Sequence, residues 1–153
     1  MNRSFDITLK NRAILHRFLV DFSLSQLNTV PDGYRNSIYW NIIHVVVTQQ
    51  LLVYKLSDVP MLIGSDLVDA FRKGTKTERD ATRHEVEHLK KLLFSTIEQT
   101  QKDYDAGRFT SYNSYTVSTK STLNNVEEAI EFNNFHEGIH LGYILAMKNS
   151  IIS

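Results

Sequence analysis

Four long stretches of the chain carry apolar residues at helical spacing, and shorter polar stretches holding the prolines and four of the six glycines separate them. In the first, from about Ser4 to Ser25, Phe5, Leu9, Ile14, Leu15, Phe18, Leu19 and Phe22 recur three and four residues apart, which gathers them on one helix face. The second runs from about Ser37 to Leu56. It is apolar almost all round, with Ile38, Trp40, Ile42, Val45, Val46, Val47, Leu51 and Leu52, and it is too long for a strand despite its valines. Its one polar stripe holds Ser37, Asn41, His44, Thr48 and Lys55. That stripe faces either water or a polar site inside the fold, and periodicity does not separate the two.

The third helix is predicted to start at Thr82, which forms a capping-box pair with Glu85, and to run through Val86, Leu89, Leu92, Leu93 and Ile97 to about Tyr104. The fourth starts near Asn124 or Asn125, where Glu127 and Glu128 suit the positive end of the helix dipole, and runs to about Asn149. Pro31-Asp32-Gly33 makes a short turn between the first two helices. Ser57 to Ala81 is long for a link between antiparallel neighbours, so a crossover is expected there, with a short helix over Ser65 to Phe71. Asp105 to Leu123 is polar, with Phe109-Thr110-Ser111-Tyr112 expected to be extended. The architecture predicted is all-α: a single four-helix-bundle domain over residues 1–153.

Composition narrows the chemistry. Lys plus Arg is 17 and Asp plus Glu is 17, so no net charge points to nucleic acid or an anionic membrane surface. No stretch approaches the ~20 apolar residues of a membrane span. Met1 to Lys10 lacks the apolar centre of a signal peptide, and a cytoplasmic location is expected. There is no cysteine, which excludes disulfides, thiolate nucleophiles, CxxC redox chemistry and Cys-ligated zinc or iron–sulfur sites. Six histidines, the acids and the hydroxyls remain.

The chain contains HExxH twice, at His84-Glu85-Val86-Glu87-His88 and at His136-Glu137-Gly138-Ile139-His140. On a helix either pair of histidines lies on one face and can share a metal ion. Direction around the helix separates them. His84 and His88 point roughly 140° from the mean direction of Val86, Leu89, Leu93 and Ile97, toward solvent. His140 falls within about 10°, and His136 within about 40°, of the apolar direction set by Val126, Ala129, Ile130, Phe132, Ile144 and Met147. Inward imidazoles need partners, which are either an ion or Tyr, Asn and backbone groups of the core. Gly138 and Gly142 weaken this helix, which suggests that close approach or room is needed there.

Leu141 to Ser153 holds no His, Asp or Glu, so a zincin protease site is not completed downstream and a third ligand has to come from upstream. His44 is the best placed candidate; His16, beside Arg17, is expected to be exposed.

Three segments are familiar in order. Asn36-Ser37-Ile38-Tyr39-Trp40-Asn41-Ile42-Ile43-His44 resembles the second helix of the DinB superfamily, where a Trp precedes a metal-binding His. Phe71-Arg72-Lys73-Gly74 resembles the end of that family's crossover, and Phe135 to Tyr143 resembles its last-helix signature, His-x-x-x-His-x-Gly. The resemblance implies an up-down-down-up four-helix bundle and a divalent metal, zinc or nickel, held by His44, His136 and His140. It also implies a homodimer. Several members of that family are thiol-dependent enzymes using bacillithiol or mycothiol, so a low-molecular-weight thiol cofactor is implied as well; in a chain without cysteine the sulfur has to arrive that way.

Glu137 lies about 100° from His136 around the helix. It is read as a general base, as a partner to a ligand ring, or as a polar contact between helices. Asn41, Thr48, Asn133 and Tyr143 lie near the ligand directions and are candidates for the pocket wall. The function expected is a metal-dependent transferase or hydrolase acting on a small molecule. The alternative is a dimeric interaction module with a structural or vestigial metal.

Overall fold

The computed structural model describes residues 1–152; Ser153, the last residue of the expected domain, lies outside them. The first helix, α1 (Asn2–Asp21), buries Phe5, Thr8, Arg12, Leu15 and Leu19, at alternating three- and four-residue steps, together with Phe18 beside them on the same face. It stops short of Ser25 because Ser23 opens a second helix, α2 (Leu24–Asn28). The Ser23 hydroxyl accepts from the Gln26 amide and the Gln26 side chain accepts from the Ser23 amide, a reciprocal cap.

Ser37 caps α3 (Ile38–Val53) by accepting from the Trp40 amide. Every residue of α3 except Thr48 and Leu51 is buried, so this helix is the centre of the core; of its polar stripe Ser37, Asn41 and His44 are buried, Thr48 is half-buried and Lys55, beyond the helix end, is exposed. The helix ends before the expected Leu56, in a 3-10 turn at Lys55–Ser57, with Asp58 at φ +56° reversing the chain. The crossover carries α4 (Ser65–Phe71), with the predicted boundaries, and α4 packs on α3.

Thr82 and Glu85 form the predicted capping box at the start of α5 (Arg83–Asp105). The last helix, α6 (Val126–Ile152), begins with Asn125 accepting from the Glu128 amide and Glu128 accepting from the Asn124 amide. The four long segments read from the sequence are thus α1, α3, α5 and α6, in a mostly helical chain.

The link before α6 differs from the expectation. Phe109 to Tyr112 forms no strand; the Tyr112 hydroxyl donates to Leu52 O instead. The extended pair lies further on, where β1 (Tyr115–Thr116) runs antiparallel to β2 (Thr122–Leu123), with Tyr115 opposite Leu123 and Thr116 opposite Thr122. The hairpin turns through Lys120 at φ +69° and anchors itself by burying Val117 and Leu123.

Packing joins α3 to α6, and α1 to both α5 and α6. One apolar cluster includes Leu15, Ile42, Val46, Leu89, Leu93, Ile144 and Met147. A second includes Phe5, Val53, Ile97, Leu123, Ala129 and Ile130. The contact of α3 with α6 is the one that brings His44 beside the histidines of α6. Among the described residues no helix is long and apolar enough to cross a membrane.

Candidate metal centre

His44, His136 and His140 meet at the α3–α6 contact. One ring nitrogen from each lies within 4.8 Å of the others, close enough to share one ion. The ring centroids are 5.2 Å apart for His44 and His136, 4.7 Å for His44 and His140, and 4.6 Å for His136 and His140.

Hydrogen bonds fix which nitrogens are free. His44 Nδ1 lies 2.6 Å from the carbonyl oxygen of Phe71, which can only accept, so Nδ1 carries the proton and Nε2 keeps its lone pair. Thr48 Oγ1 lies 3.3 Å from that Nε2, a long hydrogen bond that a bound ion would replace. Trp40, one turn earlier, stacks on the His44 ring at 4.5 Å and 13°. His140 Nδ1 lies 2.8 Å from Asn41 Oδ1. The Asn41 amide is itself oriented, because its Nδ2 donates to Ser37 O at 2.8 Å. Its oxygen therefore accepts from His140, whose Nε2 is left as a ligand atom. His136 Nδ1 is buried with no hydrogen-bond partner. A buried ring nitrogen without a partner is unfavourable, so unlike His44 and His140 this ring is not held by a hydrogen bond.

The rings are also electrically prepared. Burial lowers the pKa of His44, while the bond to Phe71 opposes the shift. Burial, followed by the neighbouring His140 and His44, pushes His136 down to about 3. Burial and His44 bring His140 down to about 4. All three are neutral at pH 7, as metal ligands must be. The donor set, three neutral imidazoles gathered at one point, fits a divalent first-row metal ion. No carboxylate or fourth histidine joins the cluster among the described residues.

The remaining sequence candidates divide. Asn41 holds His140, Thr48 touches His44, and the exposed Tyr143 ring sits 6.3 Å from His140. Asn133 and Glu137 do not serve the ligand rings. The Glu137 carboxylate is fully buried and takes Arg12 Nη2 and Nε at 2.9 and 3.2 Å and Asn133 Nδ2 at 2.8 Å. Arg12 is fully buried too, and its Nη1 donates to Leu93 O and Thr96 Oγ1. Of the three roles open to Glu137, the contact between helices is the one the fold realises.

His84 and His88 are exposed on α5, so the first HExxH copy takes no part. His16, expected to be exposed, is half-buried with its ring 5.3 Å from Phe94. Gly138 and Gly142 are exposed, and an added Cβ at either would meet nothing within 4 Å. Close approach does not explain them.

Two cavities flank the cluster. One, of about 490 Å³, is lined by His44, His136 and His140 together with Leu51, Leu52, Leu56, Val117 and Phe132. The other, of about 370 Å³, shares His44, His140 and Lys73 with the first and is also lined by Arg35, Asn36 and Tyr143. The hairpin and crossover, which the sequence left without a function, close the first cavity through Val117 and Lys73, whose ammonium donates to Ser118 Oγ.

Comparison with known proteins bears on the fold and the family. A solved structure described as a conserved protein from Enterococcus faecalis superposes with a TM-score of 0.68, covering 99% of this chain and 96% of that one at 14% identity. At that identity the likeness speaks for the fold alone. No curated protein matches the chain. The family model of the DinB superfamily matches residues 8–144, a span that takes in His44, the crossover, His136 and His140. On a match over most of its length, the chain belongs to the DinB superfamily.

Proposed function

We propose that this chain is a cytoplasmic metalloenzyme holding one zinc or nickel ion on His44, His136 and His140, and that it catalyses a hydrolysis or a thiol-dependent transfer on a small molecule. The observation that carries this reading is the open side of the cluster: three side-chain ligands converge, no fourth joins them among the described residues, and a cavity of about 490 Å³ adjoins the rings. A site closed by four side chains would be structural; three leave a position for water or substrate. When bound, such an ion supplies Lewis acidity and lowers the pKa of a group on its open position.

The protein's own residues supply the rest. Phe71 O and Asn41 Oδ1 lock His44 and His140 in the tautomer that offers Nε2. Leu51, Leu52, Leu56, Val117 and Phe132 give the cavity beside the open side a largely apolar wall. With no cysteine in the chain, a transferred sulfur would come from a low-molecular-weight thiol. The family resemblance supports an up-down-down-up bundle as the frame.

The test is to load metal-free protein with zinc or nickel, then assay ester hydrolysis and thiol addition to an electrophilic aromatic substrate. Turnover that requires metal and is lost in His140→Ala supports the proposal. Metal binding without turnover in either class favours the other reading, a dimeric module. One observation favours that alternative. Phe135, Ile139, Tyr143 and Leu145 are exposed on α6, at 53%, 39%, 53% and 49% of their surface, beside the two open glycines. Sedimentation that gives a monomer at micromolar concentration would remove it.

A further inference from the structure

The cavity beside the histidines has a charge pattern that its apolar wall makes informative. Leu51, Leu52, Leu56, Val117, Phe132 and Ile139 supply the wall. Among the described residues no aspartate or glutamate lines it, whereas Lys55 and Lys73 both do. The lysines occupy different ends. Lys73 also lines the second cavity with His44 and His140, so it belongs to the histidine end, and its ammonium is engaged by Ser118. Lys55 follows His44, Thr48, Leu51 and Leu52 along one side of α3 and its continuation. Eleven residues at helical rise place it ~16 Å along the axis from His44. Among the described residues the Lys55 ammonium has no ion-pair or hydrogen-bond partner.

From this arrangement we infer that the cavity takes an elongated amphiphilic anion, with its apolar body along Leu51, Leu52 and Phe132 and its anionic head at Lys55. The opposite end of the molecule then lies at the histidines. The inference rests on the proposed function in treating this cavity as the substrate's seat, and it names the substrate class. An apolar wall without acids focuses the field of a cation, so an anion gains at the Lys55 end what a neutral chain of equal length does not. An apolar wall also rewards chain length, at about fourfold in Kd for each buried methylene. A polar substrate of the same charge would forfeit that gain.

The experiment is calorimetric titration of metal-free and zinc-loaded protein with hexanoate, octanoate, decanoate and decan-1-ol. Decanoate is expected to bind one site in the metal-free protein, more tightly than octanoate and hexanoate and about fivefold more tightly than decan-1-ol. Lys55→Gln should remove that preference and leave decan-1-ol unchanged. Lys55→Glu should reverse it, favouring decyltrimethylammonium over decanoate. Equal affinity of the wild type for decanoate and decan-1-ol, or unchanged decanoate affinity in Lys55→Gln, overturns the inference. Because the metal-free protein is titrated as well, the two readings fail separately. Decanoate selectivity without zinc binding would overturn the metal centre alone, and zinc binding without selectivity would overturn the anion site alone.

Discussion

Replacing Glu137 by alanine tests whether that acid is structural or catalytic, and the structure sets the size of the effect. Arg12 on α1 is fully buried and spreads its donors over Glu137 on α6 and over Leu93 O and Thr96 on α5. Removing the carboxylate leaves a guanidinium charge in the core, and also leaves Asn133 Nδ2 without its acceptor. Breaking a buried ion pair from one side costs about 3–5 kcal/mol. Against a total stability of about 5–15 kcal/mol, this is a large fraction. In urea unfolding the midpoint should fall by about 2 M with little change in slope.

The double variant Arg12→Leu/Glu137→Leu removes both charges and should regain much of the loss, giving a coupling of about 2–3 kcal/mol in a mutant cycle. Glu137→Gln keeps an acceptor for Asn133 and should cost less than alanine. Zinc affinity of the folded Glu137→Gln protein should match the wild type. A midpoint that barely moves in Glu137→Ala, combined with a large loss of metal affinity or turnover in Glu137→Gln, would refute the reasoning and return Glu137 to the site.

Two further outcomes follow from the ring environments. Asn41→Ala should weaken zinc about 10–100-fold by releasing the His140 ring, and Asn41→Asp, which keeps the acceptor, should retain most of the affinity in the same titration. The metal-free protein should lose stability as pH falls from about 6.5 toward 4. In that window the unfolded histidines take up protons that His136, held down to about 3, and His140, held down to about 4, refuse in the folded state. Urea midpoints measured across this range should be flat above pH about 7, fall below it, and fall less in a His136→Phe/His140→Phe variant.

Much of this site was legible from local pattern. The direction of His136 and His140 on the last helix follows from their spacing to Ile144 and Met147, and those two residues are buried as that spacing requires. The same geometry separated the two HExxH copies. Capping boxes are local too, so Thr82 and Glu85 marked a helix start correctly. Ser23 and Gln26 carried the same signal and went unread, which is why the first helix was drawn too long.

What the pattern does not carry is pairing across the chain. Arg12 sits in the buried series Phe5, Thr8, Arg12, Leu15, Leu19, and that position was a sign that it enters the core. Its partner is 125 residues away, and no local rule supplies it. The partner decides what Glu137 does. The hairpin was missed because Ser118-Thr119-Lys120-Ser121 contains no glycine, proline or asparagine to announce a turn, and Lys120 takes the left-handed conformation alone.

The central claim is that three histidines from two helices bind one ion. It is tested most directly by titrating metal-free protein with zinc and with nickel, and measuring bound metal after desalting. One ion per chain is predicted for the wild type and for His84→Ala and His88→Ala, with affinity largely lost in His44→Ala, His136→Ala and His140→Ala. A wild-type protein that retains no metal, or a His44→Ala protein that binds zinc as tightly as the wild type, would contradict the account.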